Sequence, residues 1–189
     1  MEKTLAVFAS GSGSNFEKII DYLRYNNRSF RCFLFCNNKN AFVLKRAESL
    51  KIKTIVFNKE ELKNGVVFSV LKKNKIDFIV LSGFLFLIPK EIVSYYNRRI
   101  INIHPSLLPM FGGKGMFGKN VHKAVLDSKS KKSGITIHYV NKDYDNGLCV
   151  FQKECLVDEN DDVKSLSFKI QKLEHFFYPK IIDELFFKK

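Results

Sequence analysis

TLAVFASGSGSNFEKIIDYLRYNN, residues 4–27, decides the fold. It opens on an apolar run, Thr4 to Ala9, passes through the loop SGSGSN, and then sets Phe16, Ile19, Ile20 and Leu23 at helical spacing. That is a strand, a glycine loop and an amphipathic helix. Reading outward, the unit recurs: strand CFLFC (32–36) with helix AFVLKRAESL (41–50), strand KTIVFN (53–58) with helix KEELKNGVVFSVLKKN (59–74), strand DFIVLS (77–82) with helix PKEIVSYY (89–96), and strand RIINIH (99–104). Strands alternating with helices at this spacing predict an α/β fold, a Rossmann-like and mostly parallel sheet with helices on both faces.

After Pro105 the rhythm changes. A glycine-rich stretch, MFGGKGMFG (110–118), leads into a helix, NVHKAVLDS, and then GITIHYVNK and LCVFQKECLV read as two strands around the turn DYDNG. The carboxyl-terminal part is therefore expected to be an antiparallel hairpin with a long terminal helix, about residues 162–186, packed behind it. No repeat or linker divides the chain, so residues 1–189 are taken as a single domain.

Composition narrows the class. A hydrophobic content of 46%, spread in short runs, is that of a globular chain, and no run approaches the length needed to span a bilayer. MEKTLAVFAS leads straight into a strand, so a cytoplasmic protein with no membrane partner is expected. Cys32 and Cys36 lie four strand residues apart, too far to share an ion, and Cys149 and Cys155 are farther apart; reduced thiols and no metal are expected. The net charge of +13 invites a phosphate-bearing partner, but the lysines are scattered and cluster only at KSKK (129–132) and at the carboxyl end. Both clusters are expected far from the chemistry, and an anionic small molecule is expected before nucleic acid.

In a sheet of this kind ligands gather beyond the carboxyl ends of the strands. Three features land there: the SGSGSN loop, the pair Gly83 and Phe84, and the strand end INIHPSLLP (101–109). In SGSGSN the amides of Ser12 to Asn15 and the positive end of a helix dipole suit a phosphate, while Phe16 at the third-glycine position excludes a dinucleotide fingerprint. An ordinary tight turn with Asn15 capping the helix is the alternative. In INIHPSLLP, Asn102 and His104 are two apart and so share a face, opposite Ile101 and Ile103.

Asp145 lies in a turn in which Asn146 and Gly147 are expected to supply the positive φ angles. An acid there is usually structural, yet one able to reach His104 would orient the imidazole, and Asn102 could donate to a developing oxyanion. An amide, an imidazole and an acid make a set for acyl transfer without a covalent nucleophile. His138 reads equally as a packing or a site residue, His122 as a surface or loop-anchoring side chain, and His175 either way.

With those residues assembled, the chain resembles the folate-dependent formyltransferases, through INIHPSLLP followed by a D-x-G turn. Within them it is similar to the phosphoribosylglycinamide formyltransferases, through GSGSN after the first strand, LSGF, GITIHYV and LEHFFYP (173–179). The resemblance implies transfer of a formyl group from 10-formyltetrahydrofolate, a co-substrate, to the amine of glycinamide ribonucleotide in purine biosynthesis, by a monomer or homodimer. It implies Asn102, His104 and Asp145 as the catalytic trio, with His104 protonated. Ser12, Gly13, Ser14 and Asn15 would hold the phosphate and Glu174 the ribose hydroxyls. Leu85, Phe86, Leu87 and Ile88, with Tyr139, Val140, Asn141, Asp143 and Tyr144, would line the folate pocket, supported by Thr136, near an active-site water, and His138. Two departures stand out: Phe86 replaces an Arg of many members, and MFGGKGMFGKN replaces the more usual K-[FY]-P-G-x-H segment. The competing readings are the catalytic domain of a methionyl-tRNA formyltransferase, and a non-catalytic Rossmann-like module that binds nucleotides or RNA through basic residues interleaved with exposed aromatics.

Overall fold

The run Thr4–Ala9 becomes an inner strand because both of its faces are covered. In the computed structural model, which describes residues 2–188, β1 (Lys3–Ala9) pairs in parallel with β2 (Phe30–Cys36) on one side and β4 (Phe78–Leu81) on the other. β3 (Lys53–Val56) adds outside β2, and β5 (Ile100–His104) outside β4. The direction then reverses: β6 (Lys132–Tyr139) pairs antiparallel with β5, and β7 (Cys149–Leu156) antiparallel with β6, completing the order β3-β2-β1-β4-β5-β6-β7.

Side-chain alternation divides the core in two. Leu5, Val7, Leu34, Val80, Ile101 and Ile137 face one layer, built from α1 (Ser14–Tyr25), α2 (Val43–Ser49), α6 (Lys119–Asp127) and α7 (Val163–Phe186). Ala6, Phe8, Phe35, Ile79 and Ile100 face the other, built from α3 (Lys59–Lys63), α4 (Val66–Lys73) and α5 (Lys90–Tyr95). Burial of this kind is worth roughly 25 cal/mol per Å² of apolar surface, the dominant favourable term in holding the layers on the sheet.

The expected helix over 59–74 is two helices. Gly65 sits at φ 87° as the residue before α4, and the left-handed turn it permits ends α3 and redirects the chain. α3 starts at Asn58, whose side chain accepts from Glu61 N while Glu61 accepts from Asn58 N. Asp162 and Ser165 build the same reciprocal cap for α7, so that helix begins within a residue of where the sequence puts it.

Strand order fixes where a ligand can sit. β1 and β4 are neighbours, yet the chain leaves β1 toward β2 on one side and β4 toward β5 on the other, so the two following loops diverge and open a crevice at the carboxyl edge. α7 closes that crevice from behind, pinned by Tyr178, whose buried hydroxyl donates to Leu81 O at 2.8 Å.

Candidate functional site

A cavity of about 720 Å³ lies in the crevice, and the loops after β1, β4 and β5 all line it. The residues at its centre come from β5 and from the turn between β6 and β7. Asn102 and His104 share a face, as their spacing requires, and the antiparallel register sets Asn102 beside His138. Asp145 joins them from the turn.

The Asp145 carboxylate ties the centre together. Its Oδ1 accepts from Asn102 Nδ2 at 3.3 Å and lies 3.6 Å from His138 Nε2; its Oδ2 accepts from Gly113 N at 3.0 Å and lies 3.4 Å from His104 Nδ1. Burial alone would raise the acid's pKa, but His138, His104 and the Gly113 amide together hold it below the usual carboxylate range. Burial instead pushes His104 below the ordinary imidazole value, with Asp145 opposing it. Burial thus opposes the expected charge on His104, while its two ring nitrogens face two acceptors, Nδ1 toward Asp145 Oδ2 and Nε2 toward Phe111 O at 2.8 Å. Both Asn102 Nδ2 hydrogens are directed at the protein, at Asp145 Oδ1 and at His138 Nε2, 3.2 Å away.

The turn works differently from its sequence reading. The left-handed residue is Asp145 itself, at φ 50°, an angle Asp tolerates better than most side chains. Gly147 is needed for space: a Cβ there would meet Tyr139 O at 1.6 Å. Its close approach to β6 brings Asp145 over the strand end.

At the far end of the cavity, Gly13 stands at φ 75° before α1, and Ser10 through Asn15 line the wall. The first-turn amides of α1 have no acceptor within the helix, which suits an anion. Asn15 does not cap the helix; it lies in the first turn, and its amide donates to Glu174 Oε2 at 2.8 Å. Burial raises the Glu174 carboxyl to about 7 despite that bond.

The folate-assigned residues divide. Leu85, Phe86, Leu87, Ile88, Val140, Asp143 and Tyr144 line the cavity. Tyr139 and Asn141 do not: Asn141 instead holds the turn, donating to Asn146 O and accepting from Asp143 N, both at 3.0 Å. Thr136 is corrected too. It is buried away from the cavity and locks the turn after β5, donating to Ser106 O at 2.7 Å and accepting from Leu108 N at 3.0 Å.

Other residues at the cavity carried little signal in the sequence. Ser10 lines it and accepts from Leu85 N. His122, read as a surface or anchoring residue, is buried on α6 and lines it as well. Gln171, one turn before His175, reaches Ser14. Lys59 supplies a cation beside Phe86, its Nζ 5.8 Å from the ring centroid. Among the described residues, no group of three or more His, Cys, Asp or Glu side chains is placed to hold a metal ion, and no helix is long and apolar enough to cross a membrane.

Residues 3–182 match the family described as formyl transferase. The chain belongs to the formyl transferase family. A chloroplastic phosphoribosylglycinamide formyltransferase of Arabidopsis thaliana is 41% identical over 187 residues, 95% of this chain and 64% of the relative's length. A phosphoribosylglycinamide formyltransferase of Bacillus subtilis is 37% identical over 97% of this chain and 94% of its own. The crystal structure of phosphoribosylglycinamide formyltransferase from Bacillus halodurans superposes with a TM-score of 0.88 at 33% identity, covering 98% of this chain and 96% of that one. The fold read from the sequence is thus that of the formyl transferases, including the antiparallel strands and the long last helix.

The charge expectations divide for this formyl transferase. The β5–β6 register places Lys132, four residues before Thr136, beyond the carboxyl end of β5, but no KSKK residue lines the cavity; Lys132 pairs with Glu154 at 2.9 Å and Lys131 with Glu159 at 3.6 Å. The lysines are, however, less scattered than they read. Lys164, Phe168, Lys172, Phe176 and Lys180 recur every four residues along α7, with Lys172 and Lys180 over the Phe168 and Phe176 rings at 4.4 and 3.3 Å.

Proposed function

We propose that the protein transfers the formyl group of 10-formyltetrahydrofolate to the amine of glycinamide ribonucleotide, a step of purine biosynthesis. The observation that carries this reading is one cavity with an amide–imidazole–carboxylate centre between an anion-suited loop and an apolar wall. The names of the relatives support the same substrates.

In this mechanism Gly13, Ser14 and Asn15 take the phosphate on their amides, and Glu174 meets the ribose hydroxyls. The pteridine of the folate lies against Leu85, Phe86, Leu87, Ile88 and Val140. The neutral amine attacks the formyl carbon, and negative charge gathers on the formyl oxygen. Asn102 donates to that oxygen by giving up its long bond to Asp145. His104, protonated in this mechanism and with both ring nitrogens facing acceptors, stabilises the oxygen as it becomes negative, and Asp145 stabilises the imidazolium. Asp145, directly or through water, moves the amine proton toward the departing folate nitrogen. Holding both substrates in one cavity is worth several kcal/mol of barrier.

The testing experiment is a comparison of two acceptors with one donor. With 10-formyltetrahydrofolate, formylation of glycinamide ribonucleotide is expected and formylation of initiator Met-tRNA is not. Transfer to Met-tRNA alone would replace this reading with the tRNA formyltransferase one.

A further inference from the structure

Arg46, on α2, belongs to neither the catalytic centre nor the cavity wall, yet its guanidinium is fixed from three sides. Its Nε donates to Ser12 O at 3.0 Å, it forms an ion pair with Glu17 of α1, and it lies 5.1 Å from the Phe42 ring centroid. The same helix touches the loop twice more. Val43 N donates to Gly11 O at 3.1 Å, and Val43 packs so closely on Gly13 that a Cβ there would lie 2.3 Å from Val43 Cγ2.

These contacts share a direction. The C=O and N–H of a trans peptide point opposite ways. Drawing the Gly11 and Ser12 carbonyls toward α2 turns the amides of Ser12 and Gly13 away from α2. Adjacent amides oriented together form an anion-binding concavity, and one carbonyl turned inward would put a partial negative charge where the anion sits.

We infer that Arg46 is a positioning residue for anion binding: it holds the Ser12 carbonyl back so that the SGSGSN amides converge on a phosphate. The inference rests on the phosphate assignment above and adds the device that maintains it. Glu17 is part of that device, since it neutralises and orients the guanidinium so that geometry, rather than added charge, is what Arg46 contributes.

The test is calorimetric binding of ribose 5-phosphate and, separately, of a folate to the full chain. Arg46→Ala should weaken ribose 5-phosphate about tenfold, the scale of losing one charge-assisted hydrogen bond, with folate affinity unchanged within twofold as the sign that the fold is intact. The double variant Arg46→Ala/Glu17→Gln should stay weak. Recovery in the double variant would assign the effect to the exposed Glu17 charge and overturn positioning, as would unchanged affinity in both. Should Arg46→Ala not fold, Arg46→Lys keeps the charge without the fork and should lose several-fold; full affinity there overturns the proposal. A wild-type protein that binds folate but not ribose 5-phosphate would remove the phosphate assignment, and the inference with it.

Discussion

Asp145 shows what a single residue bears in this site: one carboxylate, at a left-handed backbone angle, receives two donors and faces two imidazoles. His104→Ala and Asp145→Asn are each expected to lower kcat on the order of a hundredfold or more while leaving the circular dichroism spectrum unchanged; rates within a few-fold of wild type in folded variants would end the proposed mechanism. Glu174 gives a pH prediction. Its carboxyl is raised from 4.5 to about 7 in the folded state, so its contribution to stability is fully present below about 4.5 and is lost as pH rises through 7. Denaturant titrations of the wild type and Glu174→Gln should therefore diverge between those values, the wild type losing stability relative to the variant as pH rises; parallel curves would refute the raised carboxyl. That Asn102 and His104 share a face was legible because they sit at alternate positions of a strand. Thr136 and His122 were not, because whether a hydroxyl meets a turn or a cavity, and whether a helix face is covered, depend on pairing partners distant in sequence.

At the level of elements, the strand–loop–helix repeat was readable from periodicity, and the split of residues 59–74 was not, because a glycine inside an apolar pattern does not announce that its φ is positive. The reverse error occurred in the DYDNG turn, where two residues famous for positive φ leave that angle to their acidic neighbour. α7 illustrates how an element is aimed. Tyr178 fastens it to the ends of β4 and β5, donating to Leu81 O and, at 3.4 Å, to Ile101 O. One turn earlier the same helix presents Glu174 to the cavity. Tyr178→Phe is expected to cost about 1–2 kcal/mol, since it leaves a buried carbonyl short of its donor, measurable as a lower unfolding free energy in urea. It should also weaken ribonucleotide binding more than folate binding, because the folate wall is not carried by this helix.

For the whole molecule, 32 basic residues against 19 acidic give a positive field whose purpose composition could not decide. The row of lysine and phenylalanine on α7 is the surface an RNA-binding reading would need. Its rings, however, lie under Lys172 and Lys180 of the same helix, each of which occupies one face that a base would stack on. Two of the three KSKK lysines, Lys131 and Lys132, likewise face carboxylates, those of Glu159 and Glu154. Binding of tRNA is therefore expected only at low salt, sequence-indifferent and abolished near physiological ionic strength, as each neutralised phosphate adds about one unit to the slope of log affinity against log salt. Filter binding across a salt series measures it; submicromolar affinity for initiator tRNA at physiological salt would restore the rival reading.

The glycine-rich segment after β5 is tied down at Phe111 O by His104 and at Gly113 N by Asp145. The wall of the reaction vessel is thus hung from the reagents inside it. A substitution at either side chain takes away a reacting group and a tether in one stroke, so the rate loss it produces is a sum of two debts. Paired substitutions at His104 and Asp145 should lose less than the product of the single losses, since the second severs a segment already cut loose. The Gly113 amide, whose hydrogen is shielded only while the carboxylate holds it, would separate the two parts by its exchange with deuterated solvent.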